Sequence, residues 1–174
     1  MKNLFLVLIT LSFFSFIIPD KVIKKADKVI IKYFELENFS KEAIQVSKEL
    51  NSKTSSEFGE SNLFKILQND EIIGFGYIGS APSKTADFDY FVLFDSDMII
   101  IKSKVLIYRE EYGGEIGSKR WLKQFNGFSS NSNEVVYGDE IVPVSGATIS
   151  VRSMTNSMNV LLKSIKVLKN HKVF

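Results

Sequence analysis

Phe88-Asp89-Tyr90-Phe91-Val92-Leu93-Phe94-Asp95-Ser96-Asp97-Met98-Ile99-Ile100 decides the fold. A run rich in aromatic and branched apolar residues reaches Asp-Ser-Asp, whose short polar side chains favour a turn, and the apolar pattern resumes at Met98 and runs to Tyr108. This is the signature of a β-hairpin. Just upstream the same pattern occurs once more: Leu63 to Leu67, a polar Gln68-Asn69-Asp70-Glu71 break, then Ile72 to Ile78. Long strands joined by short turns predict an antiparallel sheet. Gly74, Gly76 and Gly79 interrupt the second of these strands, which predicts that something approaches its backbone closely.

Outward from the sheet the period changes. Val151, Met154, Met158, Leu161, Leu162, Ile165 and Leu168 share one face of a long helix. Asp20 to about Phe34 reads as another helix, with Val22, Ala26, Val29, Ile30 and Tyr33 on one side. Lys21, Lys24, Lys25, Lys28 and Lys32 occupy the remainder, as a solvated face or one set against anionic lipid. Ser40 has the chemistry to cap a short helix running to about Leu50, and 51–61 is polar enough for a loop or boundary. Gly113-Gly114 ends the second hairpin, Lys119 to Phe125 forms a short helix around Trp121, and 128–133 is a Ser/Asn-rich loop. The fold class is therefore α+β, a twisted antiparallel sheet with packed helices.

Met1-Lys2-Asn3 precedes an uncharged run from Leu4 to Ile18. As a helix this run spans about 22 Å, short of a ~30 Å hydrocarbon core. A basic start followed by an apolar run predicts a secretory signal peptide, or an uncleaved, slightly short membrane anchor, since no small-residue cleavage site follows. Either way the body lies outside the cytoplasm. The chain divides into 1–19 as signal or anchor, 20–58 as a helical N-terminal region, and 59–174 as the domain built on the sheet.

Composition removes whole classes of function. With 174 residues, 45% of them hydrophobic, the chain can bury a proper core. A net charge of +2 gives no footprint for nucleic acid. Having no Cys, it has no disulfide, Cys-ligated zinc or iron–sulfur cluster, and its single His, His171, makes no metal site. No catalytic acid–base pair stands out. Redox chemistry on such a chain needs an organic cofactor.

The stretch that points to one is Ser145-Gly146-Ala147-Thr148, directly before the long helix. Gly146 accepts positive φ and Ala147 is small. Thr148 falls where a helix start exposes unpaired N–H groups and the positive end of its dipole, a ready place for phosphate. The same letters also suit an ordinary turn and N-cap.

Three blocks in order make the pattern specific: Gly76-Tyr77-Ile78-Gly79-Ser80-Ala81-Pro82-Ser83; Tyr108-Arg109-Glu110-Glu111-Tyr112-Gly113-Gly114-Glu115-Ile116-Gly117 followed by Trp121 and Gln124-Phe125; and Ser145-Gly146-Ala147-Thr148. Over roughly 63–168 the chain resembles the FMN-binding domain family, whose members include one component of the sodium-translocating NADH:quinone reductase and its counterpart in the ferredoxin-linked pump. The resemblance implies FMN as cofactor, attached through a phosphoester to Thr148 by a flavin transferase, with Ser145, Gly146 and Ala147 filling the other motif positions. It makes 59–174 an FMN-binding domain and brings Glu110, Gly113 and Gly114 to the flavin side. Tyr77, Tyr112 and Trp121 are candidates to lie against the ring, and Arg109 with Glu110 forms either a pocket wall or a surface ion pair. Val142 stands where the family pattern has Asp, which leaves noncovalent FMN at the same helix start as an alternative. The implied activity is electron transfer between membrane-associated redox partners on the periplasmic face of the inner membrane, secreted or anchored through the N-terminal segment. A flavin reductase or dehydrogenase with its own substrate, and a flavin-free binding module, are the competing classes.

Overall fold

A computed structural model describes residues 18–174; the signal or anchor expected over 1–19 falls almost wholly outside them. The order of elements is α1 (Asp20–Phe34), β1 (Ser40–Ala43), α2 (Lys48–Asn51), β2 (Leu63–Gln68), β3 (Glu71–Ala81), β4 (Phe88–Phe94), β5 (Ile100–Ile107), α3 (Lys119–Leu122) and α4 (Thr148–Asn170), with single 3₁₀ turns at Gly114–Gly117 and Lys123–Phe125. The five strands form one antiparallel meander in the order β1-β2-β3-β4-β5. Both expected hairpins, the first and last long helices and the Trp121 helix are present.

The sheet is buried on both faces, which explains why β4 reads as an almost continuous apolar run. Phe88, Tyr90, Val92 and Phe94 pack in one cluster with Val151, Met154, Met158, Leu161, Leu162, Ile165 and Leu168 of α4. Phe91 and Leu93 point the other way and join Phe64, Ile66, Ile78 and Leu106 beneath Val22, Ala26 and Ile30 of α1. Helix, sheet and helix make three layers, and the period of two along β4 sorts its side chains between them.

Two sequence expectations are corrected. Ser40 caps no helix: Ser40–Ala43 is an exposed edge strand, registered against Phe64–Leu67 of β2, and the helical turn begins only at Lys48, capped by Ser47, whose Oγ accepts the Leu50 N–H at 3.2 Å. On α1, Tyr33 is exposed rather than part of the buried face; the helix ends one residue later, at Phe34, ahead of a left-handed Glu35. The β3 glycines do mark close approach, and what approaches is protein. A Cβ at Gly76 would lie 2.5 Å from the Phe64 ring, and one at Gly79 2.5 Å from the Tyr90 ring. Among the described residues, no helix is long and apolar enough to cross a membrane.

Candidate functional site

The site forms where the chain leaving β5 meets the chain entering α4. Beyond Ile107 the backbone runs through Tyr108 and Glu110 to Gly113, which has φ +74°. A Cβ on Gly113 would sit 2.4 Å from Ala147 Cβ and 3.0 Å from the Gly146 carbonyl oxygen. Only glycine fits both the conformation and the space. Gly113 of the second block and Ala147 of the third, more than thirty residues apart in the chain, are thus packed against one another.

Gly146, at φ +73°, turns the chain into α4. Ala147 is the N-cap and supplies no side-chain cap; its carbonyl accepts the first intrahelical bond, from Val151 N at 2.9 Å. Thr148 is therefore the first helical residue and not the cap, and its side chain is exposed. The amides ahead of Val151 open the dipole of a 23-residue helix, and among the described residues no side chain caps it.

A groove of about 340 Å³ lies over this helix start, lined by Ser83, Lys84, Tyr108, Glu110, Tyr112 and the run Gly146–Ser150. Its far wall, the segment after β3, is held in two ways. Glu110 accepts from the Thr85 N–H at 2.7 Å, the Thr85 hydroxyl at 2.8 Å and the Ala86 N–H at 3.4 Å. These bonds, led by the Thr85 amide, hold the carboxyl down at about 2. The buried Ser150 hydroxyl bonds both Ser83 Oγ and Tyr108 Oη, tying the same segment and the end of β5 to the first turn of α4. Arg109 takes no part: it pairs with Asp89 at 2.7 Å and donates to the Asp87 carbonyl. The Arg109–Glu110 alternatives resolve into two separate structural roles.

The remaining candidates divide. Glu110, Gly146, Ala147 and Thr148 line the groove and Gly113 backs it. Ser145 is exposed just before it, and Gly114 starts a 3₁₀ turn with open space at its Cβ position. Trp121 lines a neighbouring hollow with Val142 and Pro143; its Nε1–H donates to the Val142 carbonyl at 2.8 Å, while Gln124 Oε1 accepts from Val142 N at 2.8 Å. The indole thereby fixes the lead-in to the motif. Tyr77 lines a different hollow, 5% exposed against Phe58, and burial pushes its phenol up to about 12. Sequence reasoning had not singled out Lys84, Thr85 or Ser150; Ser150 carried the one usable signal, a hydroxyl two residues after Thr148 on the face that packs inward.

Residues 85–163 match the family model of the FMN-binding domain. This chain carries an FMN-binding domain, and FMN is its cofactor. No curated protein matches the chain. The matched stretch holds β4, β5, α3 and most of α4, and with them both blocks that pack at Gly113; the Gly76–Ser83 block precedes it. The groove suits FMN on its own chemistry. An uncapped helix start with the Lys84 ammonium on the rim is a phosphate environment. Tyr112, 76% exposed and lining the same groove, presents a ring for a flat heterocycle.

Proposed function

We propose that this protein is an extracytoplasmic electron carrier whose FMN is esterified to Thr148 and which relays electrons between membrane-associated redox partners. The observation that carries the reading is the placement of Thr148: an exposed hydroxyl on the first residue of an uncapped long helix, braced by Gly113 and opening on the groove. FMN supplies one- and two-electron exchange, and the protein supplies position and electrostatics. Attachment requires an activated phosphate, such as that of a flavin dinucleotide presented by a flavin transferase. Thr148 would hold the group through its hydroxyl: a Thr148 Oγ1–phosphorus bond would form as the phosphoanhydride broke, with a nucleoside monophosphate as leaving group and the hydroxyl proton released to water. The first-turn amides of α4 and the Lys84 ammonium would hold the phosphate of such an ester. Support for a location outside the cytoplasm is the Lys2 and Leu4–Ile18 pattern.

Val142 favours a second reading, FMN held at the same helix start without a covalent bond. Its side chain is 59% exposed, so Val142→Asp costs little packing. Wild type, Thr148→Ala and Val142→Asp are to be co-expressed with a flavin transferase, then run on denaturing gels under ultraviolet light and weighed intact. The expected result is a fluorescent wild-type band and a dark Thr148→Ala band from a protein that still folds. Because Thr148 makes no cap bond, that substitution should change stability by less than about 0.5 kcal/mol. A dark wild-type band with FMN recovered in the supernatant, made fluorescent by Val142→Asp, establishes the noncovalent reading. Flavin in none of the three rejects the carrier. For location, protease added to osmotically opened cells should digest the body, and full protection rejects the extracytoplasmic reading.

A further inference from the structure

On the α1 side of the sheet, away from the flavin groove, lies a groove of about 610 Å³ between α1, β5 and α3. Six lysines line it: Lys25, Lys28 and Lys32 from α1, Lys102 and Lys104 from β5, and Lys119 from α3. No lining residue is acidic, and among the described residues none of the six forms an ion pair. Six like charges converging without counterions cost self-repulsion, which an anionic partner relieves. The floor is apolar, with Leu106 and Leu122 buried beneath it.

We propose that this groove docks the protein on a membrane through anionic phospholipid, with phosphates on the lysines and the upper acyl region over the apolar floor. Apolar floor and cationic rim together match the headgroup boundary of a bilayer. The helical stripe supports the same geometry: Lys21, Lys25, Lys28 and Lys32 follow i, i+4, i+7, i+11 spacing, on one side of α1. Tyr33, 42% exposed on the rim, has the amphipathic ring that settles at such boundaries. The choice of lipid over an acidic protein rests on the reading of Leu4–Ile18 as a signal or anchor, because α1 begins two residues after that run. It does not depend on the flavin.

The chain has no Cys, so a single reporter can be placed cleanly. The full chain with Tyr33→Cys carries an environment-sensitive dye, and Asn156→Cys, exposed on α4 across the sheet, is the control. Each is mixed with phosphatidylcholine vesicles and with vesicles that also contain phosphatidylglycerol, and flotation is followed alongside. The expected result is a blue shift at position 33 only with phosphatidylglycerol, reversed by salt and absent at position 156. Combining Lys28→Gln, Lys32→Gln and Lys102→Gln should remove it, weakening the headgroup contribution on the order of a hundredfold. Among the described residues none of these three side chains donates a hydrogen bond, so loss of structure is not expected, and a circular dichroism melt checks that. Equal shifts with both vesicle types, equal shifts at both positions, or no shift with phosphatidylglycerol overturn the proposal. So does a shift that appears with polyglutamate or with rising protein concentration and not with lipid, which assigns the groove to an acidic protein or a second copy. Flotation on neutral vesicles reports the apolar run separately; a chain that floats only with phosphatidylglycerol supports the groove while rejecting the anchor.

Discussion

Gly113 and Ala147 touch so closely that the flavin site and the start of α4 stand or fall together. A methyl group at Gly113 meets Ala147 Cβ at 2.4 Å and forces a non-glycine residue to φ +74°. Strain and overlap add, so Gly113→Ala should cost about 2–4 kcal/mol and push the Gly146–Thr148 turn off its position. A urea titration reads the first effect and flavin content per chain the second; an unchanged midpoint with full flavin would mean the contact gives way freely. Glu110 makes a different kind of prediction. Its carboxyl lies at about 2 in the folded protein against the usual 4.5. A depressed value means the folded state gains from the ionised form, so this hold on the Thr85 segment is complete above about pH 4.5 and is lost as pH falls towards 2. The protection factors of the Thr85 and Ala86 amides, taken against the intrinsic exchange rate at each pH, should fall across that window and stay level above it. Glu110→Gln should show the fast exchange already at neutral pH, and slow exchange in that variant would mean the segment is held by Ser83–Ser150 alone.

At the scale of elements, legibility followed the range of the forces involved. Both hairpins and α4 could be read because their turns and apolar periods are local: Asp95 accepts from Asp97 N and Ile99 N within its own turn, and all seven expected apolar positions of α4 are buried. β1 could not be read. Ser40-Lys41-Glu42-Ala43 has no alternating apolar pattern and buries none of its side chains; it is a strand only because β2 offers a free edge. The same limit hid the Glu110–Thr85 staple, the Trp121–Val142 bond and the lysine groove, each of which joins residues that only the closed sheet brings together. Trp121 tests how much such a contact contributes. Trp121→Phe keeps most of the ring in place against Phe125 and deletes the donor to the Val142 carbonyl. Because Val142 is exposed, water replaces the lost partner, and the expected cost is about 1 kcal/mol with raised exchange along 142–147. A loss of several kcal/mol would show that the indole is a core element first and a brace for the motif second.

For the molecule as a whole, the question is how much chain the flavin domain needs in order to fold. The family match begins at residue 85 and the sequence pattern suggests a boundary near 59, yet the sheet recognises neither. β3 pairs with β4 from Phe75–Phe94 to Ala81–Phe88, and β2 and β1 continue the same sheet outward. More important is the face opposite α4. There Phe64, Ile66, Ile78, Phe91, Leu93 and Leu106 are covered by Val22, Ala26 and Ile30 of α1, with Ile18 and Leu36 beside it. At about 1.5–3 kcal/mol for each large buried side chain, the α1 side of this contact alone is worth on the order of 6–10 kcal/mol. That is an upper bound on the gain from burial, and it equals most of the stability of a domain this size. A fragment of residues 59–174 therefore exposes a continuous apolar face and should aggregate, bind a hydrophobic dye and melt without a cooperative transition, whereas 20–174 should unfold in one step. Cooperative melting of 59–174 within about 2 kcal/mol of the longer fragment would show instead that α1 is an attachment to the flavin domain, leaving its lysines free to serve the membrane alone.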